Sequence, residues 1–220
     1  MQKRVAKEFS SIKSHPGYIK SPTLGTRFFQ SPWSHALRPD FIPIIESFQE
    51  LIPCYEGIIK TGSRPSAVGN DCLCLLCHRL LSLTDECAHD PLEDTLRLSI
   101  LVYCVTRLWI FQGLPCMPII VDHFQRSIVR GYMVLQNQAP DLLFWALFMG
   151  SLASQELDCH PWFLNTLMDV AEMLSLTDWE SAREVLEGFF FMYRSTDEPA
   201  KIIWDSALEL RFPKLKQEVT

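Results

Sequence analysis

Residues 41–60 read FIPIIESFQELIPCYEGIIK, with apolar side chains at 41, 44, 45, 48, 51, 52, 55, 58 and 59. That is the stripe of an amphipathic helix with one face toward a core. It constrains the fold because the same period recurs down the chain, whereas no six-residue alternation of apolar and polar side chains follows residue 40. Nine glycines also disfavour a sheet-and-turn architecture. Pro43 fits the first turn, and Pro53 is expected to kink or split the helix. TGSRPSAVGN (61–70) reads as a loop and LCLLCHRLLSL (73–83) as a second helix, broken by DECAHDP.

LEDTLRLSILVYCVTRLWIFQG (92–113) predicts a third helix, apolar almost all round in its second half and so central in a bundle. LPCMP (114–118) is a rigid turn before a fourth helix at 119–136. Pro140 and Pro161 each suit the first turn of a following helix. Thr177 and Glu180 form a capping box for WESAREVLEGFFFMYR, in which Trp179, Ala182, Leu186, Phe189 and Tyr193 share a side. Glu198 and Pro199 open the last helix. The expectation is an all-α fold: an irregular multi-helix bundle of seven to eight helices over residues 39–220, with no internal repeat.

Residues 1–38 differ. SHPG, SPTLG, SPWS and LRP punctuate them with proline, glycine and serine, which predicts an extended N-terminal arm. Phe28, Phe29 and Trp33 either dock on the body or belong to a plain surface tail. Residues 1–30 hold six basic side chains against one acid, Glu8, which leaves 14 basic and 25 acidic residues elsewhere. An acidic body does not suit a protein that grips duplex DNA by itself, since phosphate neutralisation supplies most of such affinity. Only weak nucleic-acid contact through the basic arm is expected.

No apolar signal segment is visible at the start of the chain, and most of the eight cysteines lie in apolar runs such as LVYCVTRLW (101–109). We therefore expect buried free thiols in a reducing compartment; a secreted, cysteine-stapled protein is the alternative. The longest uncharged apolar run, LLFWALFMGSLAS, has 13 residues. A bilayer span needs about 20, so no membrane segment is expected and the chain reads as soluble and intracellular.

CLCLLCH (72–78), followed by Cys87 and His89, raises the question of zinc. Cys74, Cys77 and His78 have spacings that share a helix face, while Cys72 points about 200° away from Cys74. A zinc knuckle is normally a tight turn, but leucines 73, 75 and 76 fill this one and 80, 81 and 83 continue the stripe. We read the cysteines as small hydrophobes, with a metal site or a redox pair of Cys74 and Cys77 as alternatives. Hydrolase, metalloprotease, P-loop and dinucleotide motifs are absent from the sequence. Cys159 and His160 are chain neighbours, a poor geometry for nucleophile and base. His123 reads as a partly buried packing residue, and Glu46, Glu50 and Glu56 as a solvated face. We assign no catalytic, cofactor-binding or metal-binding residue and expect no enzyme. Phe144, Trp145, Phe148, Trp162, Phe163, Trp179, Phe189, Phe190, Phe191 and Trp204 read as core, or else as a groove for an apolar ligand or partner helix.

LCHRLLSL (76–83) and LEDTLRLSILVY (92–103) come first in a longer ordered series. PDLLFWALFMGSLAS (140–154), HPWFLNTL (160–167) and WESAREVLEGFFFM (179–192) follow. In order and spacing, over roughly residues 40–210, the series resembles the fungal-specific transcription factor domain. That helical regulatory region lies C-terminal to a fungal zinc binuclear cluster. The resemblance implies an all-helical fold, a nuclear location and a part in regulating RNA polymerase II transcription. The six-cysteine DNA-reading module of such regulators has no counterpart here, since the first cysteine is Cys54. The chain then corresponds to the regulatory region alone: a fragment, a shortened gene product, or a partner without its DNA arm. Protein partners or self-association follow from this, with a small-molecule effector as a further possibility. A helical small-molecule-binding protein or enzyme, with an aromatic-lined pocket in the C-terminal half, is the alternative.

Overall fold

The computed structural model describes residues 21–62, 67–109, 113–192 and 198–211. Among them no strand occurs, and eight helices have seven or more residues. The chain divides into two compact units. One runs through Glu86 and takes in Glu187–Met192; the other holds Cys87–Leu186 and the chain from Tyr193 onward.

The first unit contains α1 (Arg27–Gln30), a 3₁₀ turn (Pro32–Ala36), α2 (Phe41–Thr61), α3 (Ala67–Ser82) and all but the last residue of the single turn α4 (Thr84–Cys87). Residues 21–38 differ from the expected extended arm. Gly25 turns the chain at φ 71°, and its N–H donates to the Phe189 carbonyl at 3.1 Å. The Arg27 N–H likewise donates to the Gly188 carbonyl at 3.0 Å. Phe28 lies between Phe189 and Phe190, with ring centroids 5.1 and 4.7 Å away, and Leu24 and Trp33 are also buried. Phe29 alone of the three arm aromatics faces solvent. The apolar side chains of this segment find a surface to bury against, and that outweighs the turn-forming composition. Five of the six basic residues of the lead-in fall within 1–20, outside the described residues.

α2 follows the predicted stripe, with Phe41, Ile44, Ile45, Phe48, Leu51 and Ile52 buried. Pro53 does not split it. Every residue from Leu51 to Ile58 is buried, so packing holds the helix through the lost hydrogen bond. Glu56 is among them, which corrects its assignment to a solvated face; Glu46 is exposed. Gly62, at φ 65°, ends the helix in the left-handed conformation that glycine adopts without strain.

The second unit contains α5 (Pro91–Tyr103), α6 (Met117–Gln138), α7 (Pro140–Ala153), α8 (His160–Met173), α9 (Trp179–Glu187) up to Leu186, and α10 (Glu198–Arg211). Asp90 caps α5, its Oδ1 accepting from the N–H groups of Leu92 and Glu93 at 2.9 and 3.2 Å. α5 does not run to residue 113. It widens into a π turn, Cys104–Leu108, closed by the Trp109 N–H on the Cys104 carbonyl at 2.7 Å. α7 is the axis of the unit, packing against α5, α6, α8 and α10. Each residue from Leu142 to Ala153 is buried, as a helix apolar on all sides requires. A Cβ on Gly150 would sit 2.1 Å from the Phe163 ring, so the glycine lets α8 approach the α7 backbone.

The cap of α9 differs from the predicted box by one residue. Asp178, not Thr177, accepts the Ser181 N–H, at 2.8 Å, and this bond first of all holds the Asp178 carboxyl below the usual range. TDWES contains both T-x-x-E and D-x-x-S, and the stronger acceptor takes the N-terminus. α9 ends at Glu187, so Phe189 is not on it; Tyr193 lies outside the described residues.

Candidate functional site

The sulfur-rich segment lies on α3, and the helix sorts its side chains into two sets. Cys72, Leu73, Leu76, Cys77 and Leu80 face inward, whereas Cys74, Leu75, His78, Arg79 and Leu81 face solvent. The expected common face of Cys74, Cys77 and His78 is therefore divided. Cys77 lies one step round from Cys74 and falls inside the apolar stripe with Cys72, five residues before it. Cys87 is fully buried in α4, and His89 is exposed beyond it. Among the described residues no three His, Cys, Asp or Glu side chains converge as a metal site. All eight cysteines are free thiols; Cys54, Cys72, Cys77, Cys87 and Cys104 are buried. Burial raises the Cys54 pKa and keeps that thiol protonated.

A polar cluster that the sequence reading missed joins α5 to α6. Asp94, buried, accepts from the buried Arg97 through Oδ1 at 2.7 Å. Its Oδ2 accepts from the Ser127 hydroxyl and from the largely exposed Arg130, each at 2.6 Å. One carboxylate thus neutralises a buried guanidinium and ties two helices together. The legible signal was an acid and an arginine three apart on the inward side of LEDTLRLSILVY, one helical step from each other. These bonds occupy the carboxylate, and its role is to hold helices.

His160 opens α8, and its Nδ1 lies 3.0 Å from Oγ of the fully buried Ser154, just past the end of α7. Burial first of all lowers the His160 pKa, opposed by a hydrogen bond to the Ser151 backbone, so the ring is neutral at pH 7. Burial likewise raises the pKa of Cys159, its own backbone hydrogen bond opposing, and Asp158 and Asp122 raise it further. A protonated thiol and an imidazole engaged with serine do not make a nucleophile and base. The contact of His160 with Ser154 instead ties the start of α8 to the end of α7. His123, expected to be partly buried, is exposed on α6, because the stripe of α6 passes through Val121, Phe124 and Ile128.

Of the aromatic residues weighed as a groove, Phe144, Trp145, Phe148, Phe163, Trp179, Phe189, Phe190, Phe191 and Trp204 are buried, and Trp162 is half-buried. Phe144 packs on Trp204 and Phe148 on Trp179, with centroids 6.5 and 6.1 Å apart. These rings are core. An open groove of about 280 Å³ lies elsewhere, between Gly113–Pro118 and Leu152–Leu157, and none of the described residues that line it is aromatic.

Two helices turn large apolar side chains to solvent. On α6, Ile119, Val129 and Met133 are 64%, 56% and 66% exposed. On α3, Leu75 and Leu81 are 44% and 56% exposed. No described helix is long and apolar enough to cross a membrane. No protein-family model, curated protein or solved structure matches the chain.

Proposed function

We propose that this chain is the regulatory and interaction domain of a fungal regulator of RNA polymerase II transcription. It acts in the nucleus and lacks a sequence-specific DNA-binding module of its own. The observation that carries the interaction half of this reading is the set of large apolar side chains that α3 and α6 turn to solvent. Large apolar side chains left exposed on helices suit contact with other proteins. The transcriptional half rests on the ordered series of resembling segments, which fall on α3, α5, α7, α8 and α9.

The acidic body suits protein partners better than phosphate. Titration of the full chain against duplex DNA over a range of salt tests this part. We expect binding that is weak, indifferent to sequence and lost as salt rises. Tight, sequence-selective binding would overturn the absence of a DNA-reading module.

A further inference from the structure

We propose that the outward face of α3 is half of a zinc site, completed by the same face of a second copy of the chain. Cys74 and His78 both face solvent and lie four residues apart on a helix, where neighbouring side chains rise one above the other. Among the described residues neither is held by a hydrogen bond or an ion pair. Two donors at this spacing chelate a metal from one helix face, as the paired histidines of H-E-x-x-H do. A thiolate with an imidazole selects a borderline-soft ion, zinc above all, over magnesium or calcium.

Among the described residues no third His, Cys, Asp or Glu side chain converges on these two, and Cys72 and Cys77 are turned into the core. Zinc in a closed site takes four. A two-fold axis through the face repeats Cys74 and His78 and completes a Cys₂His₂ tetrahedron without any further residue type. The two thiolates balance the charge of the ion, each thiol releasing its proton to solvent as the ion binds. An independent observation points to the same partner. Leu75 and Leu81 flank the ligands on the exposed side of α3 and are left uncovered in the single chain. Pairing two such faces buries these leucines around the ion. Cys116, also exposed, has no histidine within four residues and lacks this geometry. The inference does not depend on the transcriptional reading.

The test is sedimentation of the full chain with a phosphine reductant, with and without zinc, and titration with cobalt(II) as a spectroscopic stand-in. We expect a monomer that becomes a dimer with one ion per two chains, and thiolate charge-transfer and tetrahedral cobalt bands. Cys74→Ser and His78→Ala, both at exposed positions, should each abolish the dimer. Each should weaken metal binding by more than about 100-fold, beyond the loss typical of an outer-shell partner. Cys116→Ser should change neither. A chain that stays monomeric with excess zinc, that binds one ion per monomer, or that dimerises equally without metal would overturn the proposal. So would variants that bind metal as the parent does.

Discussion

Asp94 shows how the chain uses its buried polar groups. Its carboxylate faces a guanidinium that has left water, and removing it strands that charge. Asp94→Ala should therefore lower the free energy of unfolding by about 3–5 kcal/mol, measured by urea denaturation. Loss of a merely superficial pair would register below about 1 kcal/mol. His160 gives a second prediction at this scale. Its pKa in the folded chain is lowered by burial, so the unfolded chain takes up the proton first as pH falls. The contribution of this group to stability is complete above the ordinary imidazole pKa of about 6.5 and is lost as pH falls through the lowered value. Thermal melts across that window should lose this component of their slope in His160→Gln. An unchanged slope would mean that another group carries the dependence.

At the scale of elements, most of the helices were legible because each buries one continuous stripe, and periodicity records burial. The eight longer helices coincide in the main with the segments from 41–60 to the last one at 198–211. What escaped was decided by partners distant in sequence. Nothing in SPTLGTRFFQSPW indicates that Phe189 and Phe190 return to receive Phe28. Neither does the spacing of Cys74, Cys77 and His78 say which edge of the helix faces inward, since those positions straddle the boundary of the stripe. The end of α8 was also hidden. Ser175 adopts φ 57°, with its N–H on the Glu172 carbonyl at 3.0 Å and the Leu176 N–H on the Ala171 carbonyl at 2.9 Å. That is a Schellman turn with serine where glycine is usual. Ser175→Gly should raise stability by about 0.5–1 kcal/mol in the same denaturation assay, since the left-handed strain of an L-residue is relieved.

Across the whole molecule, the sulfur atoms report how the chain is built. Of eight free cysteines, Cys74 and Cys116 are exposed, Cys159 is intermediate and five are buried. A disulfide reagent applied to the native, reduced chain should react with the first two quickly and with Cys159 more slowly. The remaining five should react only on unfolding. Eight thiols reacting at one rate in the native state would mean that sulfur does not fill the cores of the two units. These cores leave α3 and α6 with apolar side chains outward, and the proposed function lies on those surfaces. The most direct test joins the full chain to an unrelated DNA-binding module in fungal cells and measures transcription from a reporter carrying that module's site. The account predicts a several-fold change in transcription, reduced when Ile119, Val129 and Met133 are replaced together by serine. Reporter output equal to that of the DNA-binding module alone, with the fusion present in the nucleus, would contradict it.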